Sequence, residues 1–347
     1  MKISPFKTLL IGFGRIGAAY ADDPAMAECI PYASHAQVLA SHRAFAWNAV
    51  VDSSEDACRL AEKRWNIPET STTILNLCCR EEIEVAVIAT PPEVRVEMLE
   101  ALPNLRAVLV EKPLGLSVKD AENFLHVCQS RNILVQVNLT RRTDKMMQGL
   151  ADGGLYEKIG SVQAAFGIYG NGLINNGTHM IDLVRMLLGE VKAVQAIPYF
   201  QAFTEGPIRG DTNLAFILFM ESGLSVVMEP IRFSHYRECS LDLWGERGRL
   251  EILQEGLTVI EYPRVSCRSL QGAMEVASER ASIQTTDYGY ALYRMYDNLS
   301  EALIKGEVLK SPGDSALKTE MVVEAVFESA HKKSEVISIG GRSDNAN

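Results

Sequence analysis

Apolar and polar positions along the first third of the chain follow two alternating patterns. Short, almost uninterrupted apolar runs predict buried strands, and between them apolar residues recur at helical spacing. The predicted strands cover 7–13, 45–52, 85–90, 107–111 and 133–138, and the predicted helices cover 54–65, 93–102 and 117–130. Strands that are apolar throughout and alternate with helices are typical of a parallel sheet covered on both faces. We therefore expect a doubly wound α/β domain over residues 1–140.

The pattern changes after about residue 140. Longer runs in which apolar and polar residues alternate are joined by glycine-containing turns, which favours antiparallel pairing with one face of the sheet exposed. These predicted strands cover 159–170, 191–200, 212–220, 223–231, 238–245 and 248–253, and the predicted helices 289–306 and 313–333 follow them. Residues 141–340 are thus expected to form an α+β domain on a mostly antiparallel, open-faced sheet.

Composition and charge narrow the range of partners. The net charge of −10 disfavours nucleic acid and anionic membrane surfaces. No apolar run approaches the roughly 20 residues of a membrane span. The seven cysteines are scattered and form no C-x-x-C, so we expect the reduced thiols of a cytoplasmic protein rather than a disulfide framework or a zinc site.

A glycine-rich hexapeptide, Gly12-Phe13-Gly14-Arg15-Ile16-Gly17, follows the first predicted strand and opens a helical pattern. In this context G-x-G-x-x-G indicates a dinucleotide site, because the three glycines allow a tight turn, close approach of a pyrophosphate and packing of helix on strand. The N–H groups at the start of the helix would face the phosphates. A glycine-rich turn without a ligand is the alternative. We predict that all six residues contribute to cofactor binding.

The ribose partner is expected to be an acid at the end of the second strand, and Asp52 occupies that place. It lies 35 residues after Gly17, whereas the usual distance is about 20. Pro24 and Pro31 interrupt any single helix in the surplus segment, so we predict an insertion between the first helix and the second strand. An acid at this position favours NAD over NADP. The serines that follow Asp52 leave NADP open.

Two further strand ends carry polar residues before prolines. Thr90-Pro91-Pro92 ends one strand, and Glu111-Lys112-Pro113 ends the next. Ligands of open α/β sheets bind at the carboxyl ends of the strands. Both segments are therefore candidates for the site, and solvated turns are the alternative.

His179 and Asp182 are three residues apart on one face of a predicted helix. A structural histidine at a helix start is one interpretation. Half of a metal site is another, but no further ligand stands at a suitable spacing, and we predict no metal.

In this order the motifs resemble the glucose–fructose oxidoreductase and inositol dehydrogenase family (Gfo/Idh/MocA). The resemblance covers nearly the whole chain and includes IGFGRIG, ATPP, the EKP tripeptide at 111–113, the Arg141-Arg142 pair and H-x-x-D-x-x-x-x-L-x-G at 179–189. It implies a Rossmann domain followed by a substrate-binding α+β domain. It also implies hydride transfer between a nicotinamide and a hydroxyl or ketone carbon of a sugar, nucleotide sugar or cyclic polyol.

The resemblance also implies roles for individual residues. Lys112 polarises the reacting oxygen, and His179 exchanges the proton, a task that its unperturbed pKa of about 6.5 suits. The remaining implied ligands are Asn175, Arg141 and Asp182 for the substrate, and Thr90, Pro91, Glu111 and Lys112 for the cofactor. In this family the open face of the second sheet packs on a partner subunit, so a homodimer or homotetramer is expected.

The chain departs from the family pattern at three places. Asn175 stands where many polyol-oxidising members have an aspartate, Arg95 stands where a histidine is frequent, and the segment at about 21–34 is longer than usual. A non-catalytic, dinucleotide-binding sensor of the same fold is an alternative function, although intact Lys112 and His179 argue against it. A dihydrodiol- or bilin-type reductase is another.

Overall fold

The structure is a computed structural model that describes residues 4–340. Its first stretch alternates strands and helices as the sequence predicts. The elements are β1 (Phe6–Ile11), α1 (Pro24–Cys29), α2 (His35–Ser41), β2 (Phe45–Val51), α3 (Glu55–Trp65), β3 (Glu69–Ser71), β4 (Val85–Ile88), α4 (Arg95–Glu100), β5 (Ala107–Val110), α5 (Val118–Ser130) and β6 (Leu134–Val137).

The rest of the described chain is richer in strands. Its elements are α6 (Lys145–Gly149), α7 (Leu155–Ile159), β7 (Val162–Tyr169), α8 (Thr178–Leu188), β8 (Val191–Ala196), β9 (Phe203–Thr204), β10 (Thr212–Asn213), β11 (Phe216–Met220), β12 (Ser225–Pro230), β13 (Ser240–Gly245), β14 (Gly248–Leu253), β15 (Thr258–Ser266), β16 (Met274–Val276), β17 (Ser282–Thr285), α9 (Ala291–Lys305), α10 (Gly313–His331) and β18 (Ile337–Ser338). Turns of π-helix at Leu150–Gly154 and Leu173–Gly177 precede α7 and α8.

The chain divides into two compact units. The first contains residues up to Thr143 together with Gly289–Leu317, and the second contains Asp144–Tyr288 and the residues from Lys318 on. The predicted boundary near residue 140 assigns 289–317 to the second domain, whereas the structure places them with the first. The reason is the apolar face of α9, where Leu292, Met295 and Leu299 join the core beneath β1 and β2.

The first unit is built on a six-stranded parallel sheet in the order β3-β2-β1-β4-β5-β6. This is the strand order of a dinucleotide-binding Rossmann fold. All four residues of β4 and of β5 are buried, as expected for strands with helices on both faces. The prediction of a doubly wound parallel sheet is confirmed, and the sheet gains β3, a short edge strand that the apolar pattern did not indicate.

The surplus segment interrupts the helix that starts at the glycine loop and resumes as α2. Our prediction that the segment follows this helix was wrong. After the glycine loop the chain makes one helical turn, in which the Ala18 N–H donates to the Gly14 carbonyl. The chain then leaves the path of this helix and returns to it at α2. There the His35 and Ala36 N–H groups donate to the carbonyls of Ile16 and Gly17 at 3.0 and 2.9 Å. These are the places that residues 20 and 21 would fill in a continuous helix. Without the 15 residues 20–34, Asp52 lies 20 residues after Gly17, the usual distance.

The second unit is built on a mixed sheet in the order β16-β15-β14-β13-β7-β12-β11-β8-β18, with β17 paired to β15. Its pairs are antiparallel except β7 with β12. Alternate residues of the central strands are buried, as in β14, where Leu250 and Ile252 enter the core while Arg249 and Glu251 lie on the outer face. The prediction of a mostly antiparallel, open-faced sheet is confirmed.

Within residues 4–340 no helix is long and apolar enough to cross a membrane. All seven cysteines lie in this range and are free thiols.

Candidate active site

The glycine loop lies where β1 ends, at the centre of the first sheet. Gly12 has a φ of +92°, and a Cβ there would lie 2.7 Å from the Ala89 carbonyl oxygen. A Cβ on Gly17 would lie 2.3 Å from the Gly12 carbonyl oxygen. Gly14 is exposed, and a Cβ there would meet no atom within 4 Å. The first and third glycines are thus required by internal packing, while the second faces open space, which fits a bound pyrophosphate.

Asp52 follows β2 beside this loop. Its carboxylate accepts the Phe13 N–H at 2.7 Å on one oxygen and the Ser54 N–H at 2.9 Å on the other. Each carboxylate oxygen has a second lone pair, so both can still accept from a ribose hydroxyl. The two N–H donors fix the carboxylate at the end of β2, where the fold places the ribose ligand.

The three residues between the glycines differ in what they can offer. The Phe13 side chain is buried in the core, where its ring lies 6.5 Å from that of Trp47, and its N–H is committed to Asp52. Arg15 is exposed and Ile16 is half-buried. Phe13 therefore shapes the loop, and contact of the other two side chains with the cofactor stays a prediction.

Arg95 joins the two proline-containing turns that follow β4 and β5. Its side chain is buried, with 1% exposure, and its guanidinium donates to the Thr90 carbonyl at 2.6 Å and the Pro113 carbonyl at 2.5 Å. A longer bond of 3.4 Å reaches the Leu114 carbonyl. The planar, multi-donor guanidinium can reach several carbonyls at once. Arg95, which the sequence marked only as a departure from the family pattern, thus acts as a brace between the ATPP and EKP turns.

Glu111 enters a buried hydrogen-bond network. Its Oε1 lies 3.0 Å from Nε2 of His35 and accepts a hydrogen bond from the Asn138 side-chain amide. On its other side the His35 ring lies 2.8 Å, at Nδ1, from the Tyr296 hydroxyl. His35 is fully buried, while the Glu111 side chain keeps 13% exposure. Sequence patterns did not single out His35, Asn138 or Tyr296, which come from α2, the end of β6 and α9.

The network keeps Glu111 ionised. Burial on its own would raise the pKa of Glu111, but the hydrogen bonds from His35 and the Asn138 amide, together with the Lys112 ammonium, outweigh it and hold the pKa below its usual value. Burial, followed by the Glu111 charge, raises the pKa of Tyr296 well above its usual value. Tyr296 therefore keeps its proton while Glu111 does not.

Lys112 and Arg141 complete the predicted residues of the first unit. Lys112 is half-buried, and its peptide bond to Pro113 is cis. Arg141 is buried in the turn Thr140–Thr143 after β6. The carboxyl ends of β1, β2, β4, β5 and β6 therefore bring the glycine loop, Asp52, Thr90, Glu111 and Asn138 to one edge of the sheet.

In the second unit, a buried acid holds the predicted substrate segment. Asp211 accepts the Ile174 N–H at 3.0 Å and the Asn175 N–H at 2.9 Å, one on each carboxylate oxygen. Asn213 accepts the Gly172 N–H at 2.9 Å. These bonds fix the π-helical turn Leu173–Gly177, a feature frequent at functional sites. The Asn175 amide nitrogen donates to the Asn171 carbonyl at 3.2 Å.

His179 lies in the first turn of α8 and is half-buried. Asp182, one turn further along α8, is buried at 1% exposure. Its Oδ1 accepts from the Thr319 hydroxyl at 3.1 Å and lies 3.6 Å from the Arg185 guanidinium, which also binds Glu190 through two bonds of 2.9 Å. These contacts give Asp182 a structural role in joining α8 to α10, and its role as a substrate ligand stays a prediction.

No group of three or more His, Cys, Asp or Glu side chains within residues 4–340 is placed to hold a metal ion.

Comparison with protein families covers both units. Residues 6–139 match the oxidoreductase family with an NAD-binding Rossmann fold, and residues 161–251 match the GFO/IDH/MocA C-terminal domain. Among curated proteins, the chain is 22% identical over 269 residues to dTDP-3,4-didehydro-2,6-dideoxy-alpha-D-glucose 3-reductase of Saccharopolyspora spinosa, covering 71% of this chain and 78% of the relative. It is 25% identical over 174 residues to trans-1,2-dihydrobenzene-1,2-diol dehydrogenase of Mus musculus, covering 45% and 52%.

Solved structures share the fold along almost the whole chain. An oxidoreductase from Agrobacterium radiobacter, crystallised with NAD+, L-tartaric acid and magnesium, superposes with a TM-score of 0.74 at 17% identity, covering 97% of this chain and 99% of the other. Levoglucosan dehydrogenase in complex with NADH and levoglucosan superposes with a TM-score of 0.71 at 18% identity, covering 97% and 100%. The resemblance drawn from the motifs is confirmed, and the chain belongs to the Gfo/Idh/MocA family of NAD-binding oxidoreductases.

Proposed function

We propose that this oxidoreductase transfers hydride between a nicotinamide and a hydroxyl or ketone carbon of a sugar, nucleotide sugar or cyclic polyol. The observation that carries the proposal is the edge of the first sheet, where an open glycine cradle follows β1 and the Glu-Lys-Pro turn follows β5, with β4 between these parallel strands. The bound dinucleotide supplies a hydride donor or acceptor, and the chain supplies binding and orientation.

Each residue has a distinct task in this proposal. The Asp52 carboxylate binds the adenosine ribose, and the backbone of the glycine loop receives the pyrophosphate, with Thr90 and Pro91 beside the cofactor. Lys112 places an ammonium against the substrate oxygen and stabilises its developing negative charge. His179 takes up or releases the hydroxyl proton. Asn175, Arg141 and Asp182 are the proposed substrate ligands.

The hydroxyl-rich substrate class is supported from two directions. Asn175 can donate and accept hydrogen bonds with a sugar hydroxyl, although it cannot exchange a proton. Two similar proteins act on sugars by their names, a nucleotide-sugar 3-reductase and a levoglucosan dehydrogenase. The similarity to a dihydrodiol dehydrogenase supports a second candidate, a cyclic dihydrodiol substrate.

We further propose that the protein is a cytoplasmic homodimer or homotetramer. The free thiols support the compartment. The outer face of the second sheet carries exposed aromatic side chains, Phe166 at 40% and Trp244 at 42% exposure, on the adjacent strands β7 and β13. Apolar residues concentrated on one sheet face are typical of a surface that a second copy covers.

The experiment is a panel of sugars, nucleotide sugars, cyclic polyols and dihydrodiols, each tested with NAD, NADH, NADP and NADPH by nicotinamide absorbance. Turnover on a hydroxyl-rich compound supports the proposal, and turnover confined to dihydrodiols favours the second candidate. Tight dinucleotide binding without turnover on any compound would instead favour the non-catalytic sensor. A Gly14→Val variant, which places a side chain into the open cradle, is the control and should lose dinucleotide binding.

A further inference from the structure

The buried network behind the Glu-Lys-Pro turn has a definite proton arrangement. Because Tyr296 keeps its proton, its hydroxyl can donate to Nδ1 of His35 across 2.8 Å. When Nδ1 accepts this bond, the ring proton lies on Nε2, which donates it to Glu111 across 3.0 Å. Asn138 gives Glu111 a second N–H donor. Each donor thus meets an acceptor, and both donors to the Glu111 carboxylate come from buried residues.

We propose that His35 is a positioning residue for Lys112: it fixes the Glu111 carboxylate as a permanent counter-charge beside the Lys112 ammonium, and Tyr296 selects the ring tautomer that makes this possible. The proposal rests on the catalytic role of Lys112 proposed above. The Glu111 carboxylate is bonded by His35 of α2 and by the Asn138 amide, and the Lys112 charge acts on it, while Tyr296 of α9 contacts the far side of the His35 ring.

Two features favour this role over simple core packing. First, the EKP turn is held at both ends, by His35 at residue 111 and by Arg95 at the carbonyls of Pro113 and Leu114, so that Lys112 lies between two fixed points. Second, core packing alone does not require a charged side chain, because an apolar residue at position 111 would fill the same space. A buried carboxylate needs paired donors, and the chain provides them next to the one lysine that the family motif contains.

The re-entry of α2 explains how His35 reaches this place. Its N–H replaces that of residue 20 in the interrupted helix. The Ser34 hydroxyl oxygen caps α2 by accepting the Gln37 N–H, and the Ser34 N–H donates to the Gln37 side-chain oxygen. The cap fixes the first turn of α2, and His35 is its first residue. The return of the chain at the end of the inserted segment therefore places His35 against Glu111 of the EKP turn.

The first test measures the reactivity of the Lys112 amine in the protein without dinucleotide or substrate. Trace acetic anhydride labels each lysine in proportion to its unprotonated fraction, and mass spectrometry of the Lys112 peptide gives the rate at about pH 8. The variants are His35→Leu, which removes the donor, His35→Gln, which keeps an amide N–H near the Nε2 position, and Tyr296→Phe. His42→Leu is the matched control, because His42 is buried against Tyr293 and Tyr296 but has no bond to Glu111.

We expect His35→Leu to raise the Lys112 labelling rate at least threefold. A Glu111 carboxylate that is no longer fixed stabilises the Lys112 ammonium less, and a fall of one unit in the pKa of the Lys112 amine raises its unprotonated fraction about tenfold. The labelling rates of His35→Gln and His42→Leu should stay within about twofold of the wild-type rate. The rate of Tyr296→Phe should be higher than these two and lower than that of His35→Leu. An unchanged rate in His35→Leu would overturn the proposal. So would equal rates in His35→Leu and His42→Leu, because they would indicate general loosening of the core.

The second test uses a substrate found with the panel and a double-mutant cycle of His35→Leu with Lys112→Met. If His35 acts through Lys112, the loss of turnover in the double variant should equal that of Lys112→Met alone. Additive losses would contradict the proposal. If Lys112→Met alone keeps turnover within threefold, the proposed function fails, and the labelling result still decides whether His35 controls the lysine.

Discussion

Arg95 offers the sharpest test of how the active-site edge is built. Replacing it with methionine keeps the length and apolar stem of the side chain but removes the guanidinium. The carbonyls of Thr90 and Pro113 then lose donors at 2.6 and 2.5 Å in a region where the side chain is 1% exposed. Leaving a buried acceptor without a partner costs about 1–3 kcal/mol. Two such carbonyls give an expected loss of about 2–4 kcal/mol, since partial entry of water recovers some of the cost.

The assay is urea unfolding followed by tryptophan fluorescence. Trp47 and Trp65 lie in the first unit, so a Trp244→Phe background makes the signal specific to that unit. Arg59→Met is the matched control, because the Arg59 side chain is 63% exposed and its ion pairs lie on the surface. We expect the control to change the free energy of unfolding by less than about 0.5 kcal/mol. Equal effects of the two substitutions would refute the bracing role.

Three further outcomes follow from the same contacts. Asp52→Ala should reduce the preference for NAD over NADP, and an unaltered affinity ratio would show that Asp52 does not discriminate between them. Asp211→Ala should destabilise the second unit by about 2–3 kcal/mol, measured by Trp244 fluorescence in a Trp47→Phe, Trp65→Phe background, because two N–H groups lose an ionised acceptor. Burial opposes ionisation of Glu111, but His35 and its other partners hold the pKa below the usual value of about 4.3. Its stabilisation is therefore full above that pH and is lost as the pH falls through the folded-state pKa, so the stability difference between wild type and Glu111→Gln should shrink below about pH 4.

The strongly patterned parts of the first unit could be predicted from the sequence. Apolar strands, helical spacing and the positions of Gly12, Gly14 and Gly17 are local signals, and the structure shows why Gly12 and Gly17 stand where they do. The open-faced sheet could be predicted in the same way, from the alternation of apolar and polar residues along strands such as β14.

Long-range contacts explain what the sequence did not reveal. The interruption of the first helix depends on the carbonyls of Ile16 and Gly17 accepting from residues nearly twenty positions later, and no local pattern encodes such bonds. The placement of 289–317 in the first unit depends on the tertiary packing of α9. α9 begins at residue 291 of 347, and its local sequence does not indicate which core it joins.

The positioning residues of the site were missed for the same reason. His35 and Tyr296 are 261 residues apart in the sequence and meet only in the folded first unit. Asp211 precedes a two-residue strand, and its carboxylate reads in the sequence as an ordinary loop acid. The one available signal was Arg95, which stands at a position where the family often has a histidine, and in the structure it braces this edge.

The most direct test of the central claim compares turnover and cofactor affinity in a Lys112→Met variant, with Lys145→Met as the control at an exposed lysine. Removing one preorganised electrostatic donor typically costs on the order of 10²–10³ in turnover. The proposed mechanism predicts a loss of this size at Lys112, dinucleotide affinity close to that of the wild type, and no loss at Lys145. A Lys112→Met protein that turns over within threefold of the wild type would contradict it.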